Sequence, residues 1–213
     1  MRSSLAAVAV IAAVAGCGPS SLTILGPNPA SIAVQPADVP STLQKCPGSG
    51  SMDTFLNAIK AQDQAKYAST KQQWDQAKKD GATSAEVVFY TDSKAHCDSI
   101  MKSASTTITP GPYPLVINFV LQFKDEPSAT KGYTSDTIFG FDQATLKGVG
   151  TGLSQGKGTG LGPNSTAISA AFGGVSFYIA VWQNKAFMVI LAIINLDPAT
   201  GSKIALKVNG RIH

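Results

Sequence analysis

The sequence predicts an α+β fold, a mostly antiparallel sheet packed by helices in a single domain, and three features predict it. Helix-period and strand-period segments alternate along residues 46–213. The last strands are separated only by Gly173-Gly174 and by the tight turn at Asn184-Lys185, which suits antiparallel hairpins. One of those strands, 186–194, is apolar at every position, so both of its faces must be covered.

The elements follow in order. Residues 18–47 are punctuated by prolines at 19, 27, 29, 36, 40 and 47, and no charge appears before Asp38. Such a segment favours an extended, semi-rigid chain. It reads as a tether over 17–45 whose far end becomes ordered near Val39 to Cys46. Ser51 can cap a helix with Met52, Phe55, Leu56 and Ile59 on one side. That pattern runs on, more polar, through Tyr67 and Trp74 to Lys79, where Asp80-Gly81 stops it. Residues 86–91 read as a strand, and Asp92 caps a helix that carries His96, Ile100 and Met101 near one side. After a turn-rich break at 106–114, residues 115–123 form a strongly apolar strand. Asp125-Glu126-Pro127 then opens a helix, with acids at the positive end of its dipole and proline in its first turn.

Residues 141–163 are glycine-rich and long for a loop inside a compact domain, which suggests function or mobility. Strands follow at 167–172, 175–183 and 186–194. Asp197-Pro198 starts a C-terminal helix in which Ile204, Val208 and Ile212 recur at helical spacing. In the strand 186–194, Phe187, Val189, Leu191 and Ile193 point one way, and Met188, Ile190, Ala192 and Ile194 the other. One layer of helices covers one face. The other must meet more chain, a partner or an apolar ligand, and ordinary core is the simplest filling.

Composition narrows the function classes. The net charge is +4, only 14% of residues are charged and 44% are hydrophobic. A weak, dispersed positive balance without an arginine cluster argues against nucleic-acid binding. The glycine-rich stretch does not have phosphate-loop spacing: Thr151 stands where the first glycine belongs and Gly158 follows Lys157. Gly150-Thr151-Gly152 is followed by Gln155 where a dinucleotide fingerprint needs its third glycine. Histidines occur only at 96 and 213, and no Gly-x-Ser-x-Gly elbow is present. Asp53, Asp92, Asp125 and Asp142 sit at helix starts or loops, where capping accounts for them. No catalytic residue, cofactor or metal site is assigned, and the chain is expected not to be an enzyme. A hydrolase, the third-ranked alternative, would have to use His96. The aromatics Phe177, Tyr178, Trp182 and Phe187 cluster on the last hairpin. They are ordinary core unless one sheet face stays open. In that case Tyr178 and Trp182 floor a ligand cleft, with Lys157 of the glycine-rich stretch as a further contact.

The N-terminus carries a more specific signal. One positive charge precedes an apolar run from Leu5 to Ala15, which ends in Val14-Ala15-Gly16-Cys17. This is the layout of a secretory signal, and the run is too short for a bilayer-spanning helix, which needs roughly 20 residues. The segment resembles the lipobox of bacterial lipoproteins. The resemblance implies a signal peptide over 1–16, cleavage between Gly16 and Cys17, and acylation of the Cys17 thiol. The protein would then be held at the extracytoplasmic face of the cell membrane by its acyl chains. With Cys17 assigned to lipid, Cys46 and Cys97 remain, and an oxidising compartment favours a disulfide between them over two buried thiols.

More broadly, 46–213 is similar to the small extracytoplasmic domains of actinobacterial lipoproteins and membrane kinases, including the PknH-like sensor domain. The features that carry this are the spaced Cys46 and Cys97, the strand–helix units ending near Ala95 and Ala129, and Val181-Trp182-Gln183 with the apolar strand after it. That family usually has two disulfides, and this chain has cysteines for one. The resemblance implies a membrane-anchored lipoprotein with a non-catalytic sensor-like or solute- and partner-binding domain. Its partners would be the membrane, through Cys17, and a small molecule or envelope protein. The alternative is a carrier of an apolar or lipid ligand.

Overall fold

The computed structural model describes residues 26–102, 112–135, 146 and 152–213. Gly16, Cys17 and the whole segment 1–16 lie outside the described residues, as do Asp142 and most of 136–151. Among the described residues the chain forms an eight-stranded sheet. Its strands are β1 (Gln44–Lys45), β2 (Gly50–Ser51), β3 (Ala82–Thr91), β4 (Leu115–Phe123), β5 (Leu153–Gln155), β6 (Ser165–Phe172), β7 (Val175–Asn184) and β8 (Phe187–Ile194). The order is β1-β3-β4-β8-β7-β6-β5, with β2 also on β3, and every pairing is antiparallel. The α+β fold expected from the sequence is the one observed.

The helices are α1 (Pro29–Ile32), α2 (Met52–Lys60), α3 (Gln64–Lys79), α4 (Lys94–Lys102), α5 (Glu126–Thr134) and α6 (Pro198–Asn209). They lie on both sides of the sheet. Helices α2 to α5 supply Phe55, Ile59, Trp74, Met101 and Ala129 to one core, where they meet Val87, Phe89, Phe119 and Ile190 from the strands. Helices α1 and α6 supply Ile32, Ile204, Ala205 and Val208 to the other, against Val88, Tyr90, Trp182 and Leu191. The alternation along β3 (Val87 and Phe89 one way, Val88 and Tyr90 the other) is the pleat of one strand serving two cores.

Strand β8 runs between β4 and β7 in the middle of the sheet. Phe187, Val189, Leu191 and Ile193 enter one core, and Met188, Ile190, Ala192 and Ile194 the other. The chain's own helices therefore cover both of its faces. Two tight turns fix the register here. Gly173 and Gly174 both have positive φ (59° and 81°) between the paired Phe172 and Val175, the conformation a two-residue hairpin of this twist demands.

Two expectations need correction. The tether was placed over 17–45, but the chain is packed from Pro29 onward: Ile32, Ala33 and Val34 are each at most 1% exposed. The prolines do not keep this segment extended. Pro29 and Pro36 each open a short helical turn, where a fixed φ and a missing N–H cost nothing. Asn28 caps the first turn through Ser31. Buried polar groups then pin the arm down. Val34 N–H donates to Asn118 Oδ1 (2.9 Å), Tyr90 Oη–H donates to Val34 O (3.1 Å), and Arg211 donates to the carbonyls of Ile32 and Ala33 (3.3 and 3.1 Å). Arg211 also grips both oxygens of Asp38 at 2.7 Å.

The second correction concerns the helix expected over 52–79, which is two helices. The amides of Gln62 and Asp63 both turn back to Ile59 O, and the Asp63 side chain then accepts Lys66 N–H at 2.9 Å as a fresh N-cap. Helix α3 afterwards buries only Thr70, Trp74 and Ala77, a narrow stripe at helical spacing.

Candidate functional site

The residues expected to form a ligand cleft do not come together. Trp182 is fully buried and Tyr178 is 5% exposed, both beneath α6. Gly201 of α6 lies so close to Tyr178 that an added Cβ would sit 2.7 Å from the ring carbons. Burial pushes the Tyr178 phenol up to about 12, and Ser202 hydrogen-bonds it. Trp182 Nε1 finds no hydrogen-bond partner. Lys157 sits apart, exposed on the one-turn helix Gly156–Thr159. The cleft over Tyr178 and Trp182 is thus replaced by core, because α6 covers the face that would have been open.

The described part of the glycine-rich stretch is an edge rather than a flap. Leu153–Gln155 pairs with β6, and Gly152 (φ 77°) lies so close to β6 that a Cβ there would meet Ser169 O at 1.9 Å. The remainder of that stretch lies outside the described residues.

An open groove of about 910 Å³ runs along α3 toward α5. Its floor is Phe123 with Tyr67 and Ala77, and its walls are Ser69, Gln72, Gln73 and Gln76 from α3 and Gly132 and Ser135 from the α5 side. Gly132 is required here: an added Cβ would meet Phe123 Cζ at 2.6 Å. A smaller hollow of about 340 Å³ on the other flank of α3 takes in Leu56, Asn57, Trp74 and Lys78. The two share Tyr67, Lys71 and Asp75.

Three of the groove's four charged side chains are paired, and Lys79 is exposed with no ion pair among the described residues. Asp75 pairs with Lys71 and, at 2.8 Å, with Lys78, and these two ammonium groups hold its carboxyl down at about 2. Asp80 accepts Lys131 Nζ at 2.6 Å and Gln76 Nε2 at 3.0 Å, so its carboxyl also lies below the usual carboxylate range. The Asp80–Lys131 pair ties α3 to α5 at one end of the groove. What remains for a ligand is the side-chain amides of Gln72 and Gln73 and the Lys79 ammonium beside an aromatic floor, suited to polar hydrogen-bonding groups. Sequence reasoning missed this site because α3 and α5 are joined only in space. The one local signal was the i, i+4 pairing of Lys71 with Asp75.

His96 is partly exposed. Its Nδ1 pairs with the Asp92 carboxylate, and its ring stacks on Tyr113 with centroids 4.0 Å apart. That hydrogen bond lowers the Asp92 pKa. Ser93 Oγ accepts the His96 backbone N–H at 3.2 Å, which makes it a helix cap. Among the described residues no hydroxyl or thiol is hydrogen-bonded to the His96 ring. Cys46 and Cys97 form a disulfide with a Cα–Cα distance of 5.3 Å, joining the segment before β2 to α4.

No protein-family model matches the sequence, and no curated protein matches it. A solved structure similar to this chain is the extracellular domain of PknH from Mycobacterium tuberculosis. It is 10% identical over 86% of this chain and 93% of that chain, with a TM-score of 0.45. A likeness of that degree assigns no residue and no role.

Proposed function

We propose that the chain is a non-catalytic extracytoplasmic binding module, lipid-anchored through Cys17, that takes a polar solute or partner segment in the groove beside α3. The groove carries this reading. It is open, three of its four charged side chains (Lys71, Asp75 and Asp80) are paired within the protein, and Gln72, Gln73 and the exposed Lys79 line it with polar side-chain groups. The extracytoplasmic setting is supported by the Cys46–Cys97 disulfide, a bond that persists in oxidising compartments. That bond also leaves Cys17 as the one cysteine free for lipid. An apolar carrier would need a chamber between sheet and helices, and the side chains of β8 and its neighbours fill both faces there.

The test is photocrosslinking in intact cells. Benzoylphenylalanine at Gln72, in the groove, should yield a discrete adduct that the same group at Lys185, on the β7–β8 turn, does not. Identical adduct patterns from both positions would defeat the binding reading. Metabolic labelling with an alkyne fatty acid checks the anchor separately: the wild type should label and Cys17→Ser should not.

A further inference from the structure

The layer of the molecule that holds the N-terminal arm has a charge character of its own. The acids Asp53, Asp63, Asp75, Asp80, Asp92, Asp98, Asp125 and Glu126 belong to α2 to α5 or to the residues that cap and join them, where Lys60, Lys66, Lys71, Lys78, Lys79, Lys94, Lys102, Lys124 and Lys131 of the same elements balance them. On the opposite layer, around α1 and α6, the basic residues Lys157, Lys203, Lys207 and Arg211 face few acids. Asp38 is consumed by Arg211, and Asp197 caps the start of α6. Lys203, Leu206 and Lys207 share the outer face of α6 at helical spacing and are exposed. Leu206, at 47%, is the exposed large hydrophobic side chain among the described residues. It lies beside Gly160, which closes the turn that carries Lys157. An apolar side chain ringed by lysines is the pattern of a surface that settles into a headgroup layer.

The chain's exit point selects the occupant. The arm is clamped to this same layer by Arg211, and Lys207 approaches Asp38 of the arm at 3.8 Å. Eight residues separate Cys17 from Gly26, a link of nine steps that spans at most about 32 Å when fully extended. A protein held by Cys17 can therefore bring the α6 layer to the bilayer. We infer that the surface formed by Lys157, Lys203, Leu206 and Lys207 docks on anionic lipid headgroups, with the lysines on phosphates and Leu206 at the acyl boundary. This inference rests on the proposed Cys17 anchor for its geometry. It adds the second signal that sets the orientation and leaves the groove beside α3, on the far layer, open to the envelope.

The test uses the full-length acylated protein in vesicles of phosphatidylglycerol and phosphatidylcholine, or of phosphatidylcholine alone. A membrane-impermeant amine reagent, read residue by residue by mass spectrometry, reports contact. Lys157, Lys203 and Lys207 should react about fivefold more slowly on the anionic vesicles, the scale of one basic residue held at a charged surface. Lys94 and Lys124, on the far layer, should not change. The protection should vanish in about 0.5 M salt, where the screening length falls to a few ångströms. In Lys203→Gln/Lys207→Gln, both positions being exposed, the fold should persist while Lys157 loses its protection. Equal labelling on both vesicle types overturns the inference, and so does protection that appears without vesicles, which would mark self-association. Failure of the anchor itself shows differently, as a chain without acyl mass that floats with neither vesicle. If the chain lacks acyl mass yet floats with the anionic vesicles alone, the lysine surface stands without the anchor.

Discussion

Asn118 shows what a single polar side chain does in this core. It sits fully buried in the middle of β4, donates from Nδ2 to Ile190 O at 3.0 Å and accepts Val34 N–H at 2.9 Å. It thus ties the central strand to the N-terminal arm. Removing it leaves the Val34 amide buried without an acceptor, a loss of about 1–3 kcal/mol. Asn118→Ala should lower the urea midpoint accordingly and speed hydrogen exchange at Val34, while the β6–β7 amides keep their relative protection. An unchanged Val34 exchange rate would show that the arm does not depend on this bond. The same scale decides between the two readings of Tyr178 and Trp182. Their alternation on β7 put them on one face and made core their ordinary reading, and Gly201, which lets α6 close over that face, is what removes the cleft alternative.

At the scale of elements, α3 carries exposed ion pairs beside the narrow stripe it buries, and pairs of this kind contribute only modestly. Asp75 is lowered to about 2 by Lys71 and Lys78, and Asp80 is lowered by Lys131. A carboxylate whose folded pKa lies below its unfolded value of ~3.9 stabilises the fold above that range and loses the contribution as pH falls through the folded value. The support of α3 should therefore persist at pH 5 and fade between about pH 4 and 2. Glu86, half-buried and raised by burial despite Lys45, works with the opposite sign, since its protonation on acidification relieves the cost of burying a charge. Carboxyl titration by NMR should place Asp75 near 2, and Lys131→Ala should return Asp80 toward the ordinary range without moving Asp75. Titration of both with the bulk of the carboxylates would remove the argument.

The long strands were legible in the sequence because β4, β7 and β8 are mostly apolar runs with turn residues at their ends, β8 apolar at every position. The split between α2 and α3 was not. Ala61-Gln62-Asp63 contains no glycine or proline, and only the return of two amides to Ile59 O exposes the break. The packed arm was hidden for a related reason: the contacts that fix it come from Asn118 and Arg211, 84 and 179 residues away in the chain from Val34 and Ile32.

For the molecule as a whole, the fold is one sheet with a core on each face, and the two cores are secured differently. The α1 and α6 layer is closed by the clasp of Arg211 on the arm, which joins the two ends of the described chain. The α2 to α5 layer is closed covalently, by Cys46–Cys97 across a sequence separation of 51. Cys97 is 1% exposed and Cys46 is 3% exposed, both inside the first core, so the bond fastens α4 to the segment that leads into β2 and α2. In the chain-entropy picture a loop of this size contributes about 4 kcal/mol by restricting the unfolded state. The double variant Cys46→Ser/Cys97→Ser should therefore unfold at a markedly lower denaturant concentration and with a raised m-value, which a core truncation would not show, since losing the cross-link lets the unfolded chain expand. The loss should appear first as faster exchange in α4, while the α6 layer, held by Arg211, keeps its order of protection. A variant that unfolds with wild-type stability would mean that packing of Met52, Phe55 and Met101 alone holds α4 against the sheet, and that the disulfide adds nothing to it.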